Sequence, residues 1–401
     1  MKEKNTKETT TIGASAKSFM TAIGVIFLMM IATYVLTFVI PGGGIPFWKW
    51  ALSPILVLFS EDSSSMISII VLLVVIGGLF NCLEKFGILK KLLNKITKKF
   101  GKSRNVLLAV IPLFFMMLGS AVGTYEECVP LVPIVVALAV RLGWDALTGL
   151  GMSILAAGCG FAAGVCNPFT IGVAQEIAGL PVFSGMWLRI LGFVLIYVLL
   201  MIFLMFHAKK IEKPVSQIEQ ECLDEKQEHG QKKSSESVLK KFVMGFFEGV
   251  MGVLPGILLI LMANSIRFTL IEGNILDALL QGAIGMASNL PGWGVILFIY
   301  LLVLVMNFFI PSGSAKVFLL MPLIVPLAEA FGISAQLCVL AFAFGDGFSN
   351  VFYPTNPVLL ISLGLGNVSY GTWVKWSGKF QFVNLILTSA ILLFGLAIGY
   401  H

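Results

Sequence analysis

Residues 164–172 read GVCNPFTIG and interrupt an apolar stretch that is otherwise long enough for a transmembrane helix. Proline removes a backbone hydrogen-bond donor and disfavours helical conformation in the residue before it, so a break is predicted at Asn167-Pro168. A second break is predicted at YPTNP (353–357), between similar apolar stretches. A shift of 189 residues superposes Asn167 on Asn356. The two breaks are therefore predicted to be equivalent positions of a repeat.

The composition is that of a helical membrane protein. The 401 residues are 58% hydrophobic and 12% charged, with a mean hydropathy of +0.95. Runs of 18 or more mostly apolar residues indicate membrane-spanning helices, whereas a closed barrel would show short alternating segments. These runs are found at 19–40, 66–83, 187–206, 242–263 and 381–399. We predict an all-α polytopic membrane protein.

Basic residues cluster in three segments, which predicts the orientation of the chain. Residues 1–17 contain four Lys, 84–104 contain eight Lys or Arg, and 207–241 contain eight Lys. The positive-inside rule places all three segments in the cytoplasm. The net charge of +6 therefore reports topology, and we expect no nucleic-acid partner.

The same distribution predicts how the chain is divided. We expect a cytoplasmic N-terminal tail (1–18), a first membrane half (19–206, with the first repeat over about 50–206), a cytoplasmic linker (207–241) and a second membrane half (242–401).

The two halves resemble each other in their special residues. The 189-residue shift also superposes Pro133 on Pro322, Gly143 on Gly332 and Gly158 on Gly347. Residues 66–83 are predicted to cross the membrane inward, whereas their counterpart at 242–264 crosses outward. The repeats are therefore predicted to be inverted, as in many secondary transporters.

Each repeat is also predicted to contain a re-entrant helical hairpin. The stretch 105–141 is interrupted at LGSAVGTYEE (118–127), and its counterpart 295–331 is interrupted at FFIPSGSAK (308–316). Arg104 and Arg141 flank the first stretch, so both of its ends are predicted to lie on one side of the membrane. Small residues at the tips allow the backbone to approach a ligand closely.

The two helix breaks suit ligand binding. Freed backbone groups must be buried in protein or line a wet cavity, because lipid offers them no partner. Half-helix N-termini favour an anion, while unwound carbonyls and Asn side chains suit a cation. Asn167 and Asn356 are thus predicted to be symmetric ligand-facing amides. The alternative is that each is a proline kink capped by its Asn.

Four ionisable residues are predicted at membrane depth, where they are costly and often functional. Asp346 is the candidate for binding a coupling ion or a proton. Lys316 would meet a substrate carboxylate, while Glu126 and Glu127 would meet an amine, a sodium ion or a proton. The alternative is a structural ion pair between Lys316 and Glu127, which are equivalent under the 189-residue shift. Trp187, Trp373 and Trp376 are predicted to be interface anchors.

Other chemistry finds no support in the sequence. The six cysteines are scattered without CxxC spacing, and the three histidines lie outside the apolar runs. The motifs GxSxG, HExxH and GxxxxGK[ST] do not occur. We therefore predict no enzymatic activity, no cofactor and no metal beyond a transported Na⁺.

Two pairs of motifs carry a resemblance to a known family. GTYEECVPLVPIVVALAVRLGWDALTGLG and CNPFTIGVAQ in the first half, with PSGSAKVFLLMPLIVPLA and PTNPVLLISLGLG in the second, resemble DcuC/YfcC-type carboxylate carriers of the ion-transporter superfamily. The resemblance covers about 105–190 and 240–380. Longer members carry further helices just after the linker, which this chain lacks.

The resemblance implies that substrate binds at the hairpin tips and helix breaks. It also implies that a transport unit moves against a scaffold, commonly in a homodimer, in the bacterial cytoplasmic membrane. Carried over to this sequence, the substrate-binding residues are Gly123, Thr124, Asn167, Pro168, Thr170, Ser312, Gly313, Ser314, Thr355, Asn356 and Pro357.

We therefore predict a secondary active transporter that moves a small carboxylate-bearing metabolite by alternating access, coupled to Na⁺ or H⁺ or by exchange. Family members are assigned to four-carbon dicarboxylates or to exchange of arginine for ornithine. An amino acid, which carries both charges, fits the acidic pair and Lys316 at least as well as a dicarboxylate. The alternative of another class is an ion or metabolite channel, whose filter would usually lie on a symmetry axis between subunits.

Overall fold

The computed structural model describes residues 16–39, 44–60, 63–88, 91, 95, 103–123, 125–212, 238–275, 282, 285–287 and 290–401. Residues 1–15 of the predicted tail, 213–237 of the predicted linker and the predicted site residue Thr124 lie outside these ranges. The described residues form helices joined by loops and contain no β-strand. The prediction of an all-α protein is confirmed.

The first half of the described chain consists of α-helices with short 3-10 and π-helical turns between them. The helices are α1 (Ala16–Val39), α2 (Phe47–Ala51), α3 (Ser53–Leu56), α4 (Ser63–Lys85), α5 (Arg104–Met117), α6 (Val132–Arg141), α7 (Ala146–Leu150), α8 (Ala156–Ala163), α9 (Val173–Ile177) and α10 (Met186–Ile211). The 3-10 turns are Val57–Phe59 and Glu126–Leu131, and the π turns are Leu118–Val122, Gly151–Leu155 and Pro168–Gly172.

The second half follows the same order from its hairpin onward. Its helices are α11 (Val238–Glu272), α12 (Gly292–Phe309), α13 (Gly313–Ala330), α14 (Ala335–Asn350), α15 (Pro357–Leu365) and α16 (Tyr370–Ala397). Helices α12 and α13 correspond to the arms α5 and α6 of the first hairpin. Helices α14 and α15 correspond to the broken helix of the first half, and α16 corresponds to α10.

Six described segments are long and apolar enough to cross a bilayer. They are Arg104–Val122, Ala146–Ile177, Met186–Ile211, Leu239–Glu272, Gly292–Phe309 and Tyr370–Ala397. The chain is therefore a multi-pass membrane protein. Their outward faces carry large apolar side chains that suit contact with lipid, such as Phe206, Phe247 and Phe382.

Small residues allow α4 and α11 to cross closely. A Cβ atom on Gly249 would overlap the carbonyl of Gly77, and a Cβ on Gly77 would lie 2.6 Å from Val253. The Nδ2 group of Asn81 donates to the carbonyl of Gly245 at 2.8 Å. Close backbone approach at glycines is a common way for helices to associate where lipid removes the hydrophobic driving force.

The first hairpin begins and ends at one end of the helix bundle. A guanidinium N–H of Arg104 donates to the carbonyl of Leu142 at 3.0 Å, which joins the two outer ends of α5 and α6. At the same end, Nε2 of His207 in α10 lies 3.1 Å from a carboxylate oxygen of Asp145, the N-cap of α7.

The second hairpin opens at the other end of the bundle. A Cβ on Gly292 would lie 3.7 Å from the carbonyl of Phe331, so the outer ends of α12 and α13 also meet. Gln336, which follows this hairpin, donates to the hydroxyl of Ser184. Ser184 lies beyond α9, at the far end of the segment that starts at Asp145. The two hairpins therefore enter from opposite ends, as inverted repeats require.

Candidate substrate and ion site

The two predicted helix breaks are present and are capped in the same way. Between α8 and the turn Pro168–Gly172, Oδ1 of Asn167 accepts hydrogen bonds from the backbone N–H groups of Phe169 (2.9 Å) and Thr170 (3.3 Å). Between α14 and α15, Oδ1 of Asn356 accepts from Val358 (3.0 Å) and Leu359 (3.3 Å). Each Asn thus caps the resumed half-helix, and Pro168 and Pro357 take first helical positions, where the missing N–H has no intrahelical partner.

The backbone carbonyls freed by the breaks are bonded by side chains of the next long helix. Nε of Arg189 in α10 donates to the carbonyl of Val165 at 3.2 Å. Nε1 of Trp373 in α16 donates to the carbonyl of Val351 at 2.9 Å. Trp373 is fully buried, so its prediction as an interface anchor is wrong. Both side chains stabilise unwound backbone that lipid would leave unpaired.

The amide nitrogens of the two capping residues differ in their environment. Nδ2 of Asn356 donates to Oδ1 of Asn350 at 3.0 Å. Nδ2 of Asn167 is buried and has no hydrogen-bond partner within the described part of the chain. Because Oδ1 of Asn167 accepts two backbone N–H groups, the unpaired atom is the nitrogen, a donor. A buried unpaired donor is unfavourable unless a ligand or a water molecule satisfies it.

The tip of the first hairpin packs on the first break. Gly123 adopts the left-handed conformation (φ +78°), and a Cβ atom there would overlap the side-chain amide of Asn167. The Ser120 hydroxyl accepts a hydrogen bond from the N–H of Val165 at 3.0 Å, and the Ser120 carbonyl accepts from the N–H of Cys166 at 3.2 Å. The tip of the first hairpin and the first helix break are therefore held together beside the unpaired amide nitrogen of Asn167.

The tip of the second hairpin contacts residues of both membrane halves. A Cβ atom on Gly313 would lie 2.7 Å from Oδ2 of Asp346 and 3.1 Å from the methyl group of Thr170. The Ser312 hydroxyl accepts from the N–H of Ala315 at 3.4 Å and caps α13. Ser314 lies in the first turn of α13, and its side chain is outside the described part. Gly313 thus brings the second tip against the first break.

Lys316 does not form the ion pair with Glu127 that was the predicted alternative. Lys316 is fully buried, and its ammonium group lies 2.6 Å from Oδ1 of Asp346. The proposed pair between Lys316 and Glu127 is wrong, since Glu127 is exposed and Glu126 is partly exposed. Oδ2 of Asp346 is buried without a hydrogen-bond partner among the described residues and faces Gly313.

Uncharged polar residues that the sequence analysis missed surround this ion pair. Nδ2 of Asn307 donates to the hydroxyl of Ser349 (2.6 Å) and to Oδ1 of Asn350 (2.9 Å). The hydroxyl of Tyr125 donates to the carbonyl of Asn350 at 3.1 Å. The sequence could have indicated Asn307 and Asn350, because a side-chain amide inside a predicted transmembrane helix is costly unless it is hydrogen-bonded.

Several predicted site residues of the two halves lie close together, since Gly313 lies against Thr170 and Asp346. Pro168, by contrast, is exposed. Thr170 and Thr355 are buried, and the Thr355 hydroxyl has no hydrogen-bond partner within the described ranges. The region presents an unpaired amide donor, an unpaired carboxylate oxygen and an unpaired hydroxyl. This set can hold a ligand that is anionic at one end and cationic at the other.

Comparison with known proteins agrees with this architecture. The model of the DcuC family, described as C4-dicarboxylate anaerobic carrier, matches residues 50–245 and 233–397. This chain belongs to the DcuC family. As a DcuC-family member it is a membrane transporter.

Two curated relatives of this DcuC-family chain and one solved structure extend the comparison. The Escherichia coli K12 protein named "Putative basic amino acid antiporter YfcC" is 30% identical over 404 aligned positions, which cover 84% of this chain and 78% of the relative. An uncharacterised Haemophilus influenzae protein is 23% identical, with 79% and 73% covered. The crystal structure of the Alcanivorax borkumensis YdaH transporter, described as having an unusual topology, matches with a TM-score of 0.51 at 15% identity, covering 96% of this chain and 99% of that one. This last likeness concerns the fold alone.

Proposed function

We propose that this chain is a secondary active transporter of amino acids that carry a cationic group, working by alternating access in the bacterial cytoplasmic membrane with its N-terminus in the cytoplasm. One observation carries the proposal. The buried region holds an unpaired donor, Nδ2 of Asn167, beside the first tip and an unpaired acceptor, Oδ2 of Asp346, beside the second. A substrate carboxylate suits the donor, and a substrate ammonium or guanidinium suits the acceptor.

The charge of the region supports the same substrate class. Lys316 and Asp346 form a buried ion pair whose opposite charges cancel. The buried guanidinium of Arg189 lies at the first break, and one of its nitrogens has no hydrogen-bond partner among the described residues. A ligand with both charges would meet an opposite charge at each end, at Arg189 and at the free oxygen of Asp346, whereas the second carboxylate of a dicarboxylate would face Asp346. A basic amino acid therefore fits better than a four-carbon dicarboxylate.

The relatives give separate support. The YfcC name refers to a basic amino acid antiporter, which agrees with the substrate proposed here and with exchange as the mode of transport. The family description refers to four-carbon dicarboxylates and makes these the second candidate. The half-helix N-termini capped by Asn167 and Asn356 favour a carboxylate in either case. A channel is the less suitable class, because the helix breaks lie within one chain and face each other across its inverted hairpins.

The experiment is a thermal-shift screen of the purified protein in detergent, followed by uptake into proteoliposomes. Arginine, ornithine and lysine are tested against succinate, fumarate and neutral amino acids. We expect stabilisation by basic amino acids and accelerated uptake of labelled arginine when the vesicles are preloaded with ornithine. Stabilisation by dicarboxylates alone would establish the second candidate, and uptake that never exceeds equilibrium under any gradient or preload would indicate a channel.

A further inference from the structure

Lys316 is surrounded by oxygen atoms in the manner of a bound cation. Its Nζ donates to Oδ1 of Asp346 at 2.6 Å, to the carbonyl of Ile310 at 3.1 Å and to Oδ1 of Asn307. These oxygens come from the last turn of α12, from the hairpin tip and from α14. A carboxylate, an amide and a backbone carbonyl are also the ligands that hard cations prefer.

The hydrogen bonds of Lys316 occupy the whole of its ammonium group. An ammonium has three N–H donors and no acceptor, and the three oxygens around Lys316 match that number. No donor is left for a substrate carboxylate. The prediction that Lys316 meets such a carboxylate is therefore not supported, and the side chain acts on the site through Asp346 and the tip.

This arrangement belongs to one repeat only. Under the 189-residue shift, Lys316 corresponds to Glu127, Asp346 to Ala157 and Asn307 to Leu118. The first repeat replaces the oxygens with apolar side chains, and its tip lies directly on α8, where a Cβ on Gly119 would overlap the carbonyl of Ala157. The lysine ammonium with its carboxylate and amide partners thus lies under the second tip and has no counterpart at the equivalent positions of the first repeat.

We propose that the Lys316 ammonium is a built-in cation that takes the place of a coupling Na⁺ beneath the second tip, so that ligand binding at this site needs no Na⁺. The inference rests on the proposed function in that it concerns the same site. A soluble cation would have to enter with each substrate to neutralise Asp346 and to join α12, the tip and α14. Lys316 does both permanently, and it leaves Oδ2 of Asp346 free beside Gly313.

The test measures the ligand-free protein, so that its result does not depend on the identity of the substrate. The thermal midpoint is measured as NaCl replaces choline chloride at constant ionic strength. We expect no saturable effect of Na⁺ on the thermal midpoint of the wild type. For Lys316→Ala we expect a saturable rise of the midpoint by several degrees, because the oxygens of Asn307, Ile310 and Asp346 would then surround a Na⁺ ion in place of the ammonium group. The double variant Lys316→Ala/Asp346→Asn is expected to lose most of that rise, because the carboxylate supplies most of the attraction.

Controls make the outcomes distinct. Lys375→Ala removes an exposed lysine of α16 and is expected to behave like the wild type. Lys316→Gln replaces the lysine with a neutral side chain that fills most of the same volume, and it replaces Lys316→Ala in the test if that variant does not fold. We expect a smaller Na⁺-dependent rise of the thermal midpoint for Lys316→Gln. A saturable Na⁺-specific shift of the wild type, or no Na⁺ response in either Lys316 variant, would overturn the inference. Failure of all amino acids to bind would instead contradict the proposed function and leave the Na⁺ result standing.

Discussion

Gly158 of α8 and Gly347 of α14 lie at a reciprocal crossing of the two broken helices. A Cβ atom on Gly158 would overlap Val351, and a Cβ on Gly347 would overlap Ala162. The 189-residue shift superposes Gly158 on Gly347 and Ala162 on Val351, so it exchanges the two contacts. Such reciprocity is what a two-fold relation between the repeats requires. The crossing holds the two breaks beside each other.

Gly347→Ala is expected to destabilise the protein by about 1–3 kcal/mol, because the added methyl group overlaps the backbone of Ala162 and the helices must separate. The thermal midpoint in detergent is the measurement. Gly378→Ala is the matched control, since a Cβ there meets only a ring atom of Phe352 at 3.9 Å. That change is expected to be neutral or stabilising by up to about 1 kcal/mol. Equal midpoints for the two variants would show that the crossing tolerates separation.

Asn167→Ser and Asn167→Ala separate capping from ligand binding. Serine is as good an N-cap as asparagine but lacks the amide nitrogen, whereas alanine also loses the cap, at a cost of about 1 kcal/mol. Both variants are expected to lose ligand affinity by roughly ten- to hundredfold, since a hydrogen bond to a charged group contributes about 1.5–3 kcal/mol. Calorimetric titration with the ligand found by the screen is the measurement. Wild-type affinity of Asn167→Ser would remove the amide from the site.

Asn356→Ser is the comparison from the second repeat. Its amide nitrogen already donates to Asn350, so this change breaks a buried hydrogen bond within the protein. We expect a lower thermal midpoint, by a free energy of about 1–3 kcal/mol, and a smaller loss of affinity than in Asn167→Ser. Equal affinity losses in the two variants would mean that the sites are functionally symmetric.

Lys316→Met leaves the Asp346 carboxylate buried without its partner. Breaking a buried ion pair in this way is expected to cost about 3–5 kcal/mol, whereas replacing both partners with apolar residues is often neutral. We therefore expect a much lower thermal midpoint for Lys316→Met and a recovery in Lys316→Met/Asp346→Leu, without recovery of transport. Paired melts and uptake assays measure both effects. A double variant less stable than Lys316→Met would show that the surrounding amides depend on the charges.

Gly313→Ala is expected to impair binding more than folding. The new methyl group would lie 2.7 Å from Oδ2 of Asp346, the oxygen that we assign to the cationic end of the substrate. We expect an affinity loss of at least tenfold with a near-normal thermal midpoint. Gly292→Ala, at the outer end of the same hairpin and 3.7 Å from its nearest neighbour, is the control. Normal affinity of Gly313→Ala would place the substrate away from the second tip.

Several features of this chain follow from local properties of its sequence. The breaks at Asn167 and Asn356 follow because proline cannot continue the hydrogen-bond ladder and asparagine caps the helix that resumes. The hairpins follow from small residues at the tips, and their opposite entry follows from the basic clusters. These signals do not depend on how helices pack, which is why they were predictable.

The partner of Lys316 was decided by the tertiary structure alone. Equivalence under the 189-residue shift suggested Glu127, but the shift relates the repeats without stating which faces of α12, α13 and α14 meet. Packing brings Asn307 and Asp346 to the ammonium group and leaves Glu127 exposed. The burial of Trp373 and the lack of a partner for the amide nitrogen of Asn167 were likewise decided by packing. A residue's hydrogen-bond partners depend on the close approach of helices at glycines such as Gly158, and that approach is a property of the folded chain rather than of any one segment.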